Sequence, residues 1–500
     1  MKELDTFYVT TPIYYVNDVP HIGHAYTTIA ADIVARWNRV KGKQVFFLTG
    51  LDEHGEKIAE AAIEKGVTPQ ELVDSLAPRF EEAWRKLEIS NDDFIRTTEE
   101  RHKKAVVEII GRIYESGDIY KGEYEGWYCV PDESFWTDAQ LVNGKCPECN
   151  REVKKLKEET YFFRLSKYQE RLIEFYDQHP DFVVPKSRRN EMISRISAGL
   201  RDVSITRKTV KWGIPFPFDP DHCFYVWIEA LMNYASALEY PGKEFLKFWP
   251  PDVELMAKEI NWFHSVIWPA MLFSARLELP RKNFVHGWWT VDGKKMSKSL
   301  KNVVDPISIA DKYGADALRY YLFREVPFGE DGDFSENSLV KRVNAELADS
   351  LGNLLNRVLV LVEKNFDGCV PNTNGEGEIE ELASDTVKAV DESIEKLQFR
   401  NALNDIFSFL RELNKYVNQN RPWEISNKKR LGEILYCLLE ALRIVSILIY
   451  PFMPQTAERI IDQLGSDPKF SIDNLRWGLL RPGARTKRGQ VLFKKIAARA

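Results

Sequence analysis

The spacing of apolar and polar positions first predicts an α/β fold at the start of the chain. Residues 7–15 form an apolar run typical of a buried strand, and residues 21–41 have the periodicity of an amphipathic helix. The Val- and Phe-rich segment 44–50 predicts a second strand. A strand, a helix and a strand at this spacing form a βαβ unit, which implies a parallel sheet covered by helices.

The hydrophobic pattern changes twice after this unit. Residues 115–221 hold short aromatic strands and three clustered cysteines, which indicates a domain inserted into the α/β part. The α/β pattern occupies 1–114 before this insertion and 222–343 after it. The rest of the chain, 344–500, is predicted to be helical, with helices at about 344–364, 381–398, 401–420, 423–427 leading into 430–450, and 454–465.

Composition and charge narrow the class of protein. The 500 residues, 44% of them hydrophobic and 29% charged, suffice for about three packed domains, so intrinsic disorder is excluded for most of the chain. The net charge of −6 is not that of a typical nucleic-acid binder, although a binding groove needs only a local basic patch. Residues 481–500 contain seven Lys or Arg and no Asp or Glu, and are either such a patch or a solvated tail.

Cysteine content and hydropathy predict a cytoplasmic protein without a membrane span. Six cysteines in 500 residues do not form the framework of a secreted disulfide protein, and no cleavable apolar segment starts the chain. The most apolar run, 431–453, contains Glu433, Glu440 and Arg443. It therefore predicts a buried helix, since a bilayer span needs about 20 predominantly apolar residues.

The first motif with chemical meaning is His21-Ile22-Gly23-His24, at the turn between the first strand and its helix. A helix N-terminus at the carboxyl end of a parallel strand offers N–H groups and a partial positive charge to phosphate. The two histidines lie three apart, on one side of the first turn, and Gly23 leaves room for a nucleotide. The alternative is a pair of capping or packing histidines. No glycine-rich dinucleotide or P-loop motif follows the strand.

The second motif is Lys295-Met296-Ser297-Lys298-Ser299, which follows a turn at Asp292-Gly293. Two compact ammonium groups on one loop suit the stabilisation of charge on phosphoryl oxygens. The alternative is an exposed lysine-rich loop without a ligand.

Taken together, the two motifs resemble those of the class I aminoacyl-tRNA synthetases. Four further segments, 11–17, 49–55, 225–227 and 263–265, are similar to methionyl-tRNA synthetases, and the resemblance covers nearly the whole chain. It implies a Rossmann-type, doubly wound parallel sheet with an inserted connective domain, followed by an all-α bundle that binds the anticodon. It also implies ATP with Mg²⁺, methionine and tRNA(Met) as substrates, a methionyl-adenylate intermediate, and release of pyrophosphate and AMP.

The resemblance also implies the residues of the reaction site. Catalytic residues around the ATP phosphates would be His21, His24, Lys295 and Lys298, with Gly23 and Glu259 completing the ATP site. Asp52 would hold the ammonium group of methionine. Aromatic rings suit the polarizable sulfur of methionine, although each ring considered singly has core packing as its alternative. The implied lining of the methionine pocket is Pro12, Ile13, Tyr15, Trp227, Leu231, Tyr234, Ile260 and His264.

The clustered cysteines have the spacing of a zinc knuckle. Cys129 and Asp132 form one pair, and Cys146 and Cys149 form the second. Metal-binding members of the family usually carry Cys where this chain has Asp132. A carboxylate is also an acceptable zinc ligand, so two outcomes stay open: a structural zinc, or a knuckle that folds without metal.

Three residues of the helical part match the family positions that contact the anticodon. Asn353 and Arg357 lie four apart and share a helix face, and Trp423 follows a proline at a predicted helix start. Amide, guanidinium and indole groups suit splayed single-stranded bases. The alternatives are a surface ion pair for Arg357 and a buried position for Trp423.

The chain departs from the family pattern at three positions. The family usually carries Gly at Ala257 and Asp at Glu229 and Glu259. Because Glu is one methylene longer than Asp, we expect shifted ribose or amine contacts and altered substrate affinity, with activity retained.

Rival hypotheses remain at the level of the sequence. Synthetases for isoleucine, valine and leucine carry a larger insertion than this one. The cysteine enzyme binds its substrate thiol through an active-site metal, whereas the clustered thiols of this chain lie in the insertion. A non-catalytic tRNA-binding protein on the same scaffold is disfavoured by the intact histidines and lysines. A monomer is expected, with a separate tRNA-binding subunit left open.

Overall fold

The computed structural model describes residues 5–16, 19–130, 134–136, 138–147, 149–296, 302–373, 375, 377–467 and 469–497. The strands are β1 Thr6–Tyr15, β2 Gln44–Asp52, β3 Asp93–Arg96, β4 Ile119–Cys129, β5 Ser134–Trp136, β6 Lys154–Phe163, β7 Val183–Val184, β8 Val203–Ser204, β9 Thr206–Arg207, β10 Cys223–Phe224, β11 Val253–Ala257, β12 Asn283–His286, β13 Trp289–Val291, β14 Lys294–Lys295 and β15 Gly332–Asp333.

The α-helices alternate with the strands in the first two thirds of the chain and follow one another in the last third. They are α1 Ile22–Val40, α2 Glu56–Lys65, α3 Pro69–Lys86, α4 Glu100–Glu115, α5 Gln169–Gln178, α6 Lys186–Ser197, α7 Val226–Ala230, α8 Asn233–Ser236, α9 Lys243–Phe248, α10 Trp268–Ala275, α11 Pro306–Tyr313, α12 Ala315–Glu325, α13 Glu336–Arg342, α14 Asn353–Phe366, α15 Glu378–Glu395, α16 Phe399–Asn420, α17 Lys428–Ile449 and α18 Pro454–Leu464.

A six-stranded parallel sheet forms the centre of the α/β part, in the order β3-β2-β1-β11-β12-β7. On one side the chain proceeds outward from β1 through β2 to β3, and on the other it proceeds from β11 to β12, with the earlier strand β7 at the edge. The strand order therefore reverses between β1 and β11, and ligands bind at the carboxyl ends of strands at such a switch point. This topology confirms the predicted doubly wound α/β fold.

The predicted insertion contains an antiparallel sheet in the order β5-β4-β6-β8, with β4 and β6 paired from Ile119↔Phe163 to Tyr128↔Lys154. It also contributes β7, which pairs with β12 through Val183↔Asn283 and forms the edge of the central sheet. A strand of two residues is too short to show an alternation of apolar and polar positions, so the sequence pattern did not predict this pairing.

The helical part follows the predicted order, although the predicted helix 344–364 consists of the π-helical segment Val343–Gly352 and α14. The predicted helix at 423–427 is wrong, because Pro422–Glu424 is a single 3₁₀ turn and α17 begins at Lys428. Asn427 caps that helix by accepting hydrogen bonds from two backbone N–H groups. Two of the three charged residues in the apolar run of α17 form a buried ion pair, with Arg443 Nη2 2.6 Å from Glu440 Oε1. Among the described helices, none has the length and apolarity needed to cross a bilayer.

The basic C-terminal segment packs on the helical part, in contrast to a solvated tail. The backbone of Ala484 accepts a hydrogen bond from Val370 N at 2.8 Å. Near the end, Ile496 donates to Asn344 Oδ1 at 2.8 Å and accepts from Asn344 Nδ2 at 2.9 Å. The described Lys and Arg residues of this segment are exposed, so the charge pattern alone could not distinguish a packed segment from a free tail.

A buried ion cluster joins the α/β part to the helical part. Asp32, in the middle of α1, lies 2.6 Å from Arg319 Nη2 and 2.8 Å from Arg36 Nε. Arg319 also donates to the carbonyl oxygens of Leu87 and Phe452, at 2.9 Å each. Burial raises the pKa of Asp32, but the two guanidinium groups outweigh burial and lower it below its ordinary value. The cluster therefore holds α1, the end of α3, α12 and the α17–α18 turn together.

We expect Asp32→Asn to lower the free energy of unfolding by about 3–5 kcal/mol, because it leaves a buried arginine without its counter-charge. The measurement is the midpoint of denaturant unfolding. Lys388→Met, which breaks the exposed pair with Asp385, is the control and should cost less than about 1 kcal/mol. Equal effects of the two substitutions would contradict the role of the cluster.

Candidate active site

A cavity of 320 Å³ opens at the carboxyl ends of the central strands, where the strand order reverses. Its lining combines side chains from the ends of β1, β2 and β11, from the start of α1, and from α7, α8 and the π-helical turn Phe263–Ile267. The structure thus brings predicted site residues from distant parts of the chain to one cavity. Those that line it are Pro12, Ile13, Tyr15, His21, Gly23, His24, Asp52, Trp227, Leu231, Tyr234, Glu259, Ile260 and His264.

The two histidines of the first motif cap α1 reciprocally. His21 Nδ1 accepts a hydrogen bond from Gly23 N at 3.0 Å, and His24 Nδ1 accepts one from His21 N at 3.3 Å. Since both Nδ1 atoms accept, each neutral ring carries its proton on Nε2. Burial, together with the neighbouring His21, lowers the pKa of His24 well below its ordinary value. The motif therefore offers neutral N–H donors at a helix N-terminus, where phosphate binds favourably.

Gly23 has a second function in this turn. A Cβ atom at this position would lie 2.9 Å from Cε1 of His21. Glycine therefore permits the capping position of the His21 ring, in addition to leaving space in the cavity.

Part of the lysine motif lies outside the described residues. Lys298 belongs to that part, and nothing is described of the Lys295 side chain. Met296 lines the same cavity as His21 and His24. Just beyond the motif, Val304 O accepts a hydrogen bond from Ile22 N at 3.0 Å. His21 and His24 of the first motif and Met296 of the second, some 270 residues apart in the chain, therefore line one cavity.

The other end of the cavity is aromatic, with a fixed direction of hydrogen bonding. His264 Nδ1 donates to Ile260 O at 3.0 Å, which leaves Nε2 to accept from the Tyr234 hydroxyl at 2.7 Å. Burial lowers the pKa of His264 to about 4, so the ring is neutral at physiological pH. Trp227 stacks on Phe263 with ring centroids 4.6 Å apart. This end of the cavity suits an apolar, polarizable side chain.

Asp52, the last residue of β2, also lines the cavity. It is 5% exposed, and its backbone oxygen accepts a hydrogen bond from Val16 N at 3.1 Å. This bond ties the end of β2 to the end of β1. A carboxylate held at this point can pair with an ammonium group.

Sequence reasoning missed a set of cavity residues that follow β12. Thr27 Oγ1 donates to His286 Nε2 at 2.7 Å, since His286 Nδ1 donates to Gly287 O. Trp288 Nε1 donates to Glu259 Oε2 at 2.5 Å, and Lys258 Nζ lies 3.9 Å from the Trp288 ring centroid. His286 ends the central strand β12 and Trp288 follows it, and ligands bind at the carboxyl ends of such strands. That position in the chain was the signal that could have identified them.

The structure corrects the expectation for Glu229. Its carboxylate does not line the cavity but accepts hydrogen bonds from His54 and His102, so it makes no nucleotide contact. Ala257 and Glu259 do line the cavity.

The cysteine cluster lies in the insertion, away from the cavity. The sulfur atoms of Cys129, Cys146 and Cys149 all lie within 4.8 Å of one another, and Cys129 Sγ is 3.5 Å from Cys149 Sγ. Thiolates on one tetrahedral zinc, each with a bond of about 2.3 Å, lie about 3.8 Å apart. The three thiols therefore fit a zinc ion. Asp132, the predicted fourth ligand, lies outside the described residues.

The three residues predicted to contact the anticodon come together in the helical part. Asn353 and Arg357 lie on α14, and Arg357 Cζ is 5.5 Å from the ring centroid of Trp423. Arg357 Nη2 also donates to Asn418 Oδ1 at 3.3 Å. Trp423 is 51% exposed, so its ring has a face open to a base. This excludes the alternative of a buried tryptophan.

Comparisons with known proteins agree with this arrangement. A family model described as class I tRNA synthetases (M) matches residues 7–156 and 151–359, and the anticodon-binding domain of tRNA ligases matches 376–481. The methionine–tRNA ligase of Caldanaerobacter subterraneus subsp. tengcongensis is 52% identical over 98% of this chain and 79% of that protein. The chain belongs to the methionyl-tRNA synthetase family. This enzyme therefore ligates methionine to tRNA in an ATP-dependent reaction, and the rival hypotheses are set aside.

Solved structures of another methionyl-tRNA synthetase agree with the fold. The Mycobacterium tuberculosis enzyme in complex with methionyl-adenylate has a TM-score of 0.95 and 41% identity, over 98% of this chain and all of that one. Its free form has a TM-score of 0.89 and 38% identity, over 99% of each chain. The conformation described here is thus nearer to the adenylate complex of that enzyme than to its free form.

Proposed function

We propose that the cavity of this methionyl-tRNA synthetase binds methionine and ATP side by side and forms methionyl-adenylate there. The observation that carries this proposal is the single cavity of 320 Å³ with an aromatic end at Tyr234 and His264 and a helix N-terminus at His21 and His24. The adenylate complex of the M. tuberculosis enzyme, at 41% identity, supports it.

Methionine would lie in the aromatic end of the cavity. The sulfur would contact the rings of Tyr15 and Trp227 and the hydroxyl of Tyr234, which lies against the neutral imidazole of His264. Asp52 would pair with the ammonium group, so the carboxylate of methionine would point toward α1. The remaining apolar contacts would come from Pro12, Ile13, Leu231 and Ile260.

ATP would lie along the start of α1 with its phosphates at the two histidines. Neutral Nε2–H donors bind phosphoryl oxygens without adding a charge that must be desolvated, and the N-terminus of α1 supplies a partial positive charge. Lys295 and Lys298 would supply the compensating positive charge, and Glu259, held by the Trp288 indole, would face the ribose.

The reaction then follows from position and charge. A carboxylate oxygen of methionine attacks the α-phosphorus of ATP, and the bond to the leaving pyrophosphate breaks. In the second step the terminal ribose hydroxyl of the tRNA attacks the methionyl carbonyl, and AMP leaves. Phosphoryl transfer of this kind depends mainly on alignment and on stabilisation of the charge of the leaving group.

We expect Lys298→Ala to lower methionine-dependent exchange of pyrophosphate into ATP by about a hundredfold or more, the usual loss for one transition-state donor. Lys294→Ala, at an exposed position directly before the motif, is the matched control and should leave exchange near the wild-type rate. Exchange that proceeds without methionine, or an unchanged rate for Lys298→Ala, would refute the proposal.

We propose further that the insertion holds a structural zinc on Cys129, Cys146 and Cys149, with Asp132 as the fourth ligand. The mutual distances of the three sulfur atoms support this set, and thiolates are strong zinc ligands. The ion would cross-link the turn after β4 to the loop before β6.

Metal analysis of the purified protein should give about one zinc per chain, as expected for a closed structural site. Cys146→Ser should lose most of the metal, whereas Cys223→Ser, a thiol outside the cluster, should retain it. A content well below one zinc per wild-type chain would favour the knuckle that folds without metal.

We also propose that Asn353, Arg357 and Trp423 read the anticodon of tRNA(Met). The stacked guanidinium and indole present hydrogen-bond donors beside a half-exposed ring, which suits unstacked bases.

Trp423→Ala should lower kcat/KM for tRNA charging by about tenfold or more, since stacking on one aromatic ring contributes about 1–3 kcal/mol. Exchange of pyrophosphate should not change, because that reaction needs no anticodon contact. Leu479→Ala, another exposed apolar residue of the helical part, serves as the control. Normal charging by the Trp423 variant would remove this assignment.

The boundaries of this organisation are part of the proposal: catalytic halves at 1–114 and 222–343, a connective insertion at 115–221 and an anticodon-binding part at 344–500. The cytoplasmic location and the monomeric state stay predictions of the sequence.

A further inference from the structure

A buried carboxylate links three elements beneath the cavity. Glu229 Oε1 lies 2.7 Å from His54 Nδ1, and Glu229 Oε2 lies 2.7 Å from His102 Nε2. All three residues are buried, and the side chain of Glu229 is 1% exposed. The proposed reaction does not use any of the three.

The position of Glu229 in the chain gives this link its significance. Glu229 is the only charged residue of α7, a helix of five residues that also carries Trp227 and is followed directly by Leu231. So short a helix has little stability of its own, because helix formation starts with a costly nucleus. Tertiary contacts must therefore set the position of α7, and with it this wall of the cavity.

The two histidines belong to elements that carry or support other cavity residues. His54 is two residues beyond Asp52, in the loop that follows β2. His102 lies on α4, and its Nδ1 is 2.8 Å from Ser236 Oγ on α8, the helix that carries Tyr234. One carboxylate is thus hydrogen-bonded directly to the Asp52 loop and, through His102, to the Tyr234 helix.

Further contacts of the Asp52 loop hold it to elements other than α7. Trp212 Nε1 donates to Glu53 O at 2.6 Å, and the Glu53 carboxylate pairs with Arg96 Nε at 2.7 Å. These contacts hold the loop against the insertion and against β3. These contacts do not connect the loop to α7, whereas the hydrogen bond between Glu229 and His54 does.

Electrostatics make this link strong. Burial by itself would raise the pKa of Glu229, but His54 and His102 outweigh it and lower the pKa to about 2. The group is therefore a carboxylate at physiological pH, and its two hydrogen bonds are charge-assisted. Glutamate also has the length to reach both rings at once.

We propose that Glu229 is a positioning residue that sets the separation of Asp52 from Trp227, so that methionine can meet both at the same time. The inference rests on the proposed methionine pocket. Glu229 would act through His54 and α7 and would not touch the substrate. Removing its charge should loosen one end of the cavity and leave the ATP end, at α1, in place.

The test is the steady-state kinetics of pyrophosphate exchange, with KM measured separately for methionine and for ATP. Glu229→Gln, which keeps the shape but offers an amide to two imidazole donors, should raise KM for methionine about tenfold or more, since misplacement by about 1 Å is that costly. KM for ATP should stay within about twofold. Glu229→Asp, which keeps the charge but reaches one ring less well, should restore most of the methionine affinity.

Asp118→Asn is the matched control for a merely structural effect. Asp118 is also 1% exposed and accepts hydrogen bonds from Ser274 Oγ at 2.7 Å and Ser116 Oγ at 3.0 Å, but it does not line the cavity. It should lower the unfolding midpoint as Glu229→Gln does and leave both KM values unchanged. If Glu229→Gln likewise changes only stability, or if Glu229→Asp is no better than Glu229→Gln, the inference is overturned.

Trp227→Ala separates this inference from the function on which it rests. If Trp227→Ala does not weaken methionine binding, the proposed pocket itself is wrong. If it does, and Glu229→Gln leaves KM for methionine unchanged, the pocket stands and only the positioning role fails.

Discussion

The rest of this structure depends on the ion pairs that the buried Asp32 carboxylate forms with two arginines. Asp32 sits in the middle of α1, whose first turn carries the two capping histidines, and it pairs with Arg319 from α12 and Arg36 from α1 itself. Arg319 in turn binds carbonyl oxygens of the helical part. The helix that presents the proposed ATP end of the cavity is thus fixed by the same charges that dock the helical part.

The site itself is organised by hydrogen bonds that select tautomers. Backbone N–H groups donate hydrogen bonds to Nδ1 of His21 and of His24, whereas Nδ1 of His264 and of His286 donates to a backbone carbonyl oxygen. The first pair is left with Nε2–H donors and the second pair with Nε2 acceptors. Neutral, oriented imidazoles therefore line one cavity: His21 and His24 donate at the proposed ATP end, and His264 accepts at the proposed methionine end.

Three buried carboxylates show how the interior decides charge. Asp32 has guanidinium partners and Glu229 has imidazole partners, and each has a pKa below its ordinary value. Glu254, on β11, is fully buried without a charged partner of this kind, and burial raises its pKa well above the ordinary value. The first two are therefore carboxylates stabilised as charges that link elements, whereas burial favours the uncharged form of the third, as the cost of burying an isolated charge requires.

The sequence by itself determined what depends on local pattern: the first strand and helix, the order of helices beyond residue 344, and, through family motifs, the side chains that line the cavity. These follow because periodicity and short motifs are local properties. Only the tertiary structure decided that Glu229 faces two histidines instead of a nucleotide, that β7 completes the central sheet, that Trp288 holds Glu259, and that the basic C-terminal segment packs down. Each of these is a contact between residues far apart in the chain. Neither the spacing of residues nor their type predicts which distant residue will become the partner.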